Sequence, residues 1–365
     1  ADKRLSDYSK PMQAYFHKWL KKKYRTIGKL NRAWQQDHNS FTAIALPSET
    51  ERKSVPGGFI YDPAKYQPVI DFQQALSDSI TDLLLSYSTT IKKVTKNRKT
   101  VGLYYGKLFT IGGHNEWAEF GFQRLLKAPS IDYFSGPSYF QRQPGRPHST
   151  SAPLAAIALR GKMFIDEADL RTYAGGAQTW AYTGNPWDTV HTMRKIMALN
   201  LVENQGVRWF DIHPGEFATP AIMHAIKQLR QAAEATLQAP TRKAEIAIIT
   251  SEKSLTYTSM EVIDYMRKAV RNQWQGLFYR IGTPVDFHLL EDLQLESFPK
   301  YKLYVFLNAW HLDKDQRNAI KKLQQDNAAI LWFHAPGILS ETGLSIQQTE
   351  EITGFKLQQL HEPPK

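Results

Sequence analysis

Lys162-Met163-Phe164-Ile165-Asp166-Glu167-Ala168-Asp169-Leu170-Arg171-Thr172 is the stretch on which the fold turns. A short apolar run that breaks into three acids and an arginine reads as a buried strand whose last residues leave the core. If Met163 to Glu167 is the strand, Asp166 and Glu167 point to opposite sides, so one faces a barrel mouth and the other the wall. Three acids beside one arginine are costly to hold at a strand end without a purpose. The plain alternative is a helix cap by Asp169, with Arg171 neutralising it.

Outward from this run, similar ones occur at Val101 to Tyr105, Ile131 to Phe134 and Val207 to Ile212, with starts about 30 to 45 residues apart. Helical patterns lie between them, near Trp117 to Leu126, Trp187 to Val202 and Thr219 to Leu237. Such alternation predicts parallel strands joined by crossover helices, as in an α/β barrel or an open α/β sheet. Upstream, Met12, Tyr15, Phe16, Trp19 and Leu20 form one helical stripe. Thr26 is placed to cap a second helix, and a long helix runs from Val69 to Val94. Downstream, Thr236 to Lys243 reads as a linker, after which the alternation restarts with strands at Glu245 to Thr250, Val285 to Leu289, Leu303 to Asn308 and Ala329 to Phe333. Helices are expected around Val262 to Tyr279 and from Lys314 to Gln325.

Composition narrows the function. With no cysteine in 365 residues, disulfides, thiolate metal sites and a cysteine nucleophile are excluded. No run is long and apolar enough for a transmembrane helix, and the first ten residues lack the apolar core of a signal peptide, so the compartment is left open and no membrane partner is expected. Residues 1 to 100 carry 18 Lys and Arg against 9 Asp and Glu, most of the net charge of +11. These cations cluster at Lys18 to Arg32 and Lys92 to Lys99, on polar faces and C-terminal ends of helices where the dipole favours them, and no nucleic-acid partner is expected. Thr250 to Ser254 stands where a nucleotide-binding fold would place glycines, which argues against a nucleotide cofactor. His114, His148 and His191 are isolated and no His-Glu-x-x-His spacing occurs, so no metal is expected; Gly-x-Ser-x-Gly is also absent.

The strand ends carry rings beside charges: Tyr104 and Tyr105; Asp132, Tyr133, Ser138, Tyr139 and Arg142; Trp209, Asp211, His213 and Glu216. Aromatic faces cover the CH faces of a pyranose while charged groups take its hydroxyls, which suits sugar recognition.

Three stretches resemble the glycoside hydrolase family 42 β-galactosidases. His17-Lys18-Trp19-Leu20 through Asn31-Arg32-Ala33-Trp34 resembles the segment after their fourth barrel strand. Ser130 to Arg142 with Gly161 to Thr172 resembles relatives that carry a β-galactosidase trimerisation domain. Tyr301 to Ala309 with Ala335-Pro336-Gly337 resembles that domain itself.

The resemblance implies a retaining hydrolase with its nucleophile at the end of strand seven, here Glu167. Tyr105, Tyr139, Arg142, Trp209 and Asp211 would position the sugar, and Asp169 with Arg171 would orient Glu167 or bind hydroxyls. The family's acid/base glutamate follows an asparagine on strand four, which is expected to lie upstream of Ala1. The Asn115-Glu116 pair has the right letters but follows strand five.

The expected architecture is therefore the C-terminal half of a (β/α)₈ barrel, residues 1 to 238 with strands five to eight, followed by a flavodoxin-like trimerisation domain over 243 to 365. Four strands leave edges uncovered, so the fragment alone is expected to be marginal. Trp310, Phe298, Tyr301 and Tyr304 are more rings than the second domain needs for its own core. They point to a covered surface in a homotrimer.

Overall fold

A computed structural model describes residues 5, 7–53, 55–56, 58–108, 119–138, 142–146, 151–175, 182–237, 239, 242–266, 276–326, 328–340 and 343–358. The chain opens with helices α1 (Lys10–Tyr24), α2 (Ile27–Trp34), α3 (Glu49–Lys53) and α4 (Pro63–Val94). A first αβ series follows: β1 (Gly102–Tyr104), α5 (Phe122–Lys127), β2 (Tyr133–Pro137), α6 (Leu154–Ala158), β3 (Met163–Ala168), α7 (Pro186–Val202), β4 (Gly206–Trp209) and α8 (Pro220–Thr236). The second comprises β5 (Ile246–Thr250), α9 (Glu252–Leu255), α10 (Val262–Tyr265), α11 (Gly276–Phe278), β6 (Val285–Leu289), β7 (Leu303–Phe306), α12 (Lys314–Gln325), β8 (Ala329–Trp332), the short pair β9 (Leu339–Ser340) and β10 (Gly343–Leu344), and α13 (Ile346–Thr353).

The helix starts follow one local rule. Asp62, Asn185 and Thr219 each accept a backbone N–H from the first turn, and each is followed by a proline, which needs no hydrogen-bond partner at that position. Thr26 caps α2 through the Lys29 amide, as its sequence position predicts. Of the N-terminal clusters, Lys21, Lys22 and Lys23 stand in the last turn of α1, and Lys92 and Lys93 in that of α4.

Strands β1 to β4 form one parallel sheet in sequence order, the arrangement of half a (β/α)₈ barrel. Its two faces are unlike. Phe134 and Phe164 pack with Leu125, Leu126, Leu154 and Ile157 under the helices. The alternate residues Tyr104, Met163 and Arg208 look the other way, and Tyr104 and Met163 are about half exposed. That second face is the barrel interior. Gly102 lets the sheet close up there, since a Cβ would run into the Tyr133 ring on the neighbouring strand.

Strands β5 to β8 form a second parallel sheet in the order β6-β5-β7-β8. α8 ends at Thr236 and this sheet opens at Ile246. One hydrophobic cluster nevertheless runs through both sheets, from Tyr105, Phe122 and Phe164 to Ile248, Phe287, Val305 and Trp310, and α6 lies against β6. The N-terminal segment joins in. Ile60 bridges Thr258, the Tyr61 amide donates to the Tyr257 carbonyl, and the Ser259 amide donates to the Phe59 carbonyl.

The rings expected to offer a surface are inside. Trp310 is fully buried against Phe59, Tyr265 and His334, Tyr301 and Tyr304 are buried in a cluster under α12 and α13, and half-buried Phe298 packs on them. Aromatic count alone overestimated the exposed area because these rings seal contacts within the chain. Of the helix expected around Val262 to Tyr279, the described residues show only α10 and α11; 267–275 lie outside them.

Candidate functional site

Strand β3 settles the choice between its two neighbouring acids. Asp166 faces the helices and is fully buried, where Oδ1 accepts from the Ser138 amide and Oδ2 from Asn200 Nδ2, each at 3.0 Å. Glu167 faces the barrel interior. It pairs in register with Pro137 on β2 and Arg208 on β4. Its Oε1 accepts from the Tyr104 hydroxyl at 3.0 Å, and its Oε2 is ion-paired with Arg208 Nη2. Glu167 is buried, whereas half of the Arg208 side chain is open to solvent.

Tyr104 is itself held. Lys107 Nζ lies 4.6 Å over its ring and reaches Glu119 at 3.1 Å. Partial burial, with Glu119 and Asp169 nearby, pushes the phenol above its ordinary value, so at neutral pH it remains a hydrogen-bond donor to Glu167.

Arg142 supports the strand ends from beneath. Its fully buried Nη2 reaches the Glu167 carbonyl at 3.0 Å, the Ser138 carbonyl at 3.3 Å and Asp166 Oδ1 at 3.6 Å. Burial pulls the guanidinium below its ordinary value and the Asp166 charge opposes that pull. Past the strand, Asp169 pairs with Arg171, whose Nη1 also lies 4.0 Å from Glu216 Oε2. Burial raises the Glu216 carboxyl. Gly175 makes room for that side chain, since a Cβ at Gly175 would stand 2.6 Å from Glu216 Cγ.

The sequence-derived set is thus divided. Tyr105 is a correction: it turns into the core and donates to the Phe120 carbonyl at 2.6 Å, while Tyr104 on the alternate face meets Glu167. Arg142 is likewise a strand-end support and meets no open surface. Asp169 caps no described helix and forms a buried pair with Arg171. Trp209 leans on Phe217, 6.2 Å between ring centres, and exposed Asp211 accepts from the Gly215 and Glu216 amides at 3.3 Å, shaping a turn. Tyr139, Asn115 and Glu116 lie outside the described residues. Arg208 was missed. Its signal was alternation within the Val207 to Ile212 run, but the pairing register with Glu167 is not written in either strand alone.

Among the described residues no group of three His, Asp or Glu could hold a metal ion, and no described helix is long and apolar enough to cross a membrane. A carboxylate on the inner face of a parallel half-barrel, at the C-terminal end of its strand, stands where barrel proteins place their working residues.

Comparison with known proteins gives the relationship. Residues 2–164 match the family model of the glycoside hydrolase 42 β-galactosidases. The β-galactosidase BbgII of Bifidobacterium bifidum is 25% identical over 164 residues, 42% of this chain and 20% of that protein. The solved β-galactosidase of the haloarchaeon Halorubrum lacusprofundi superposes with a TM-score of 0.61 at 13% identity, over 93% of this chain and 52% of that one. The exo-carrageenase GH42 of Bacteroides ovatus gives 0.60 at 11% identity, over 95% and 50%. Over residues 2–164 the chain is similar to the family 42 β-galactosidases, and it spans about half the length of these solved structures.

Proposed function

We propose that this chain carries the nucleophile of a retaining β-glycoside hydrolase acting on galactosides or related plant or algal sugars. The observation that carries the reading is Glu167 on the inner face of β3, buried, with its carboxylate oriented by Tyr104 and Arg208. In the first step a Glu167 oxygen bonds to the anomeric carbon as the glycosidic C–O bond breaks. A second carboxyl group, about 5 to 5.5 Å away, protonates the departing oxygen. In the second step that group takes a proton from water, whose oxygen replaces Glu167 at the anomeric carbon. The second carboxyl is proposed to come from a barrel strand other than β1 to β4. Arg208 is half-exposed and so can leave Oε2 when sugar enters.

The second sheet is proposed to be a flavodoxin-like domain that trimerises the protein. The order β6-β5-β7-β8 supports the first part, and the sequence resemblance supports the second. Sedimentation should give a trimer; a stable monomer at micromolar concentration refutes it.

A second reading, carbohydrate binding without catalysis, is favoured by the engagement of both Glu167 oxygens. Trapping with a 2-deoxy-2-fluoro galactoside separates the two. Label on Glu167 supports the nucleophile, label elsewhere refutes it, and no label with retained sugar binding supports the second reading.

A further inference from the structure

A cavity of about 450 Å³ lies where the C-terminal ends of β5, β6 and β7 meet the N-terminal helices. In open parallel sheets this is where ligands bind, beside the point at which the strand order reverses. Here the chain passes from β5 to β6 on one side and then to β7 on the other, so the reversal falls between β5 and β7. The loops after all three strands contribute: Lys253 from β5, Glu291 from β6 and His311 from β7. None of the residues that hold Glu167 lines it. Its volume is within the range of small-molecule sites, about 300 to 1,000 Å³.

The walls are fixed. Asn308 ties the strand ends together, accepting from Thr250 Oγ1 and the Ser251 amide and donating to the Ser251 carbonyl, while the His311 amide donates to Ser254 Oγ. Trp19 lines the opposite side with its indole N–H held by Asp78 at 2.8 Å. Within this frame several polar atoms lack protein partners. Glu291 Oε2 and His311 Nδ1 are shielded from solvent and meet no hydrogen-bond partner among the described residues. Lys253 Nζ lies over the Tyr257 ring at 5.7 Å and forms no ion pair among them. Unsatisfied buried groups of this kind are costly, and a ligand that completes them recovers that cost.

Their chemistry selects the ligand. Of the two cations that line the cavity, Arg124 is committed to Asp78 and Asp82, which leaves Lys253 among the lining acids Glu252, Glu291 and Asp313 and disfavours a phosphate or another multiply charged anion. Burial pushes Lys253 down to about 8, Glu291 up to about 7 and His311 down to about 4, so at neutral pH the wall offers a cation, a titrating carboxyl and a neutral imidazole. Hydroxyl groups both donate and accept, and can satisfy all three. A ring with CH faces also suits Trp19.

We propose that this cavity is a second binding site, for a neutral polyhydroxylated ligand of monosaccharide size, whose hydroxyls are taken by Lys253, Glu291 and His311 beside Trp19. The site itself does not depend on the role assigned to Glu167; only galactose as the first probe does.

The test is calorimetric titration of the purified full chain with D-galactose, D-glucose and inorganic phosphate. Saturable binding of one or both sugars without phosphate binding is expected. Affinity should fall at least tenfold in Lys253→Met and in Glu291→Gln, and a saturable sugar-binding step should remain in Glu167→Gln. Gln294→Trp, a substitution at the exposed rim, should block entry without touching the core and serves if the buried variants misfold. Phosphate binding in place of sugar, no sugar binding at all, or sugar binding lost only in Glu167→Gln overturns the proposal, and the last outcome leaves the reading of Glu167 standing.

Discussion

Glu167 and Arg208 are register partners on adjacent parallel strands, and their side chains meet as an ion pair with the acid buried and the guanidinium half in water. The pair therefore couples a shielded carboxylate to a group that an incoming molecule can displace. Removing the acid and removing its orienting donor should have different kinetic signatures. In protein that hydrolyses an aryl galactoside, Glu167→Gln should lower kcat on the order of 10⁴-fold or more, as loss of a nucleophile does. Tyr104→Phe removes one hydrogen bond to a charged group, worth about 1.5 to 3 kcal/mol, and should lower kcat about 10- to 100-fold. Equal losses in the two variants would mean that Glu167 is not the attacking group.

Arg142 should matter through stability. Replacing it with Met leaves Asp166 buried with fewer compensating donors and should cost about 3 to 5 kcal/mol in urea unfolding. Asp166→Asn, which keeps the acceptor for the Ser138 amide, should cost less. A near-neutral Arg142→Met would show that the guanidinium contributes no net stability there.

His311 should make the protein acid-sensitive. Its folded imidazole, shielded by burial and opposed by Lys253, stays neutral down to about pH 4, whereas the unfolded chain protonates near 6.5. Between those values the unfolded state binds more protons, so stability falls as pH falls, by up to about 3 kcal/mol. The drop in Tm from pH 7 to pH 4 should be smaller in His311→Gln than in the parent. Parallel Tm curves would refute the assignment.

Trp310→Ala should open a cavity in the core that both sheets share, costing about 3 to 5 kcal/mol. Unfolding followed by fluorescence and by circular dichroism should shift together. Two separated transitions, only one of them moved, would show that the sheets melt independently.

Much of this architecture is legible in local pattern. Alternating apolar runs and helical spacing place β1 to β8, and caps such as Thr26 and Thr219 mark helix starts because they depend on neighbours a few residues away. Glu167 is visible as a strand-end acid for the same reason. What the pattern could not supply is register and facing. Tyr104 and Tyr105 are equivalent as letters, yet a one-residue step puts one on the inner face and the other in the core. Arg208 reaches Glu167 across 41 residues, and Arg142 reads as a sugar-positioning charge, whereas the strand ends close over it.

The N-terminal segment that hydrogen-bonds to residues 257–259 has a consequence for how the chain reaches its fold. Gln73 Nε2 donates to the Thr258 carbonyl across 185 residues, and Phe59 and Tyr61 hold partners still more distant. On a ribosome these early residues emerge long before their partners, at about 5 to 20 residues per second, so they wait roughly ten seconds or more with that edge unpaired. Closing so long a loop also slows the search itself, because the entropy of bringing the ends together is lost before the contacts form. The final docking of the N-terminal helices is therefore expected to be a late event of folding, one that waits for the synthesis of residues 257–259.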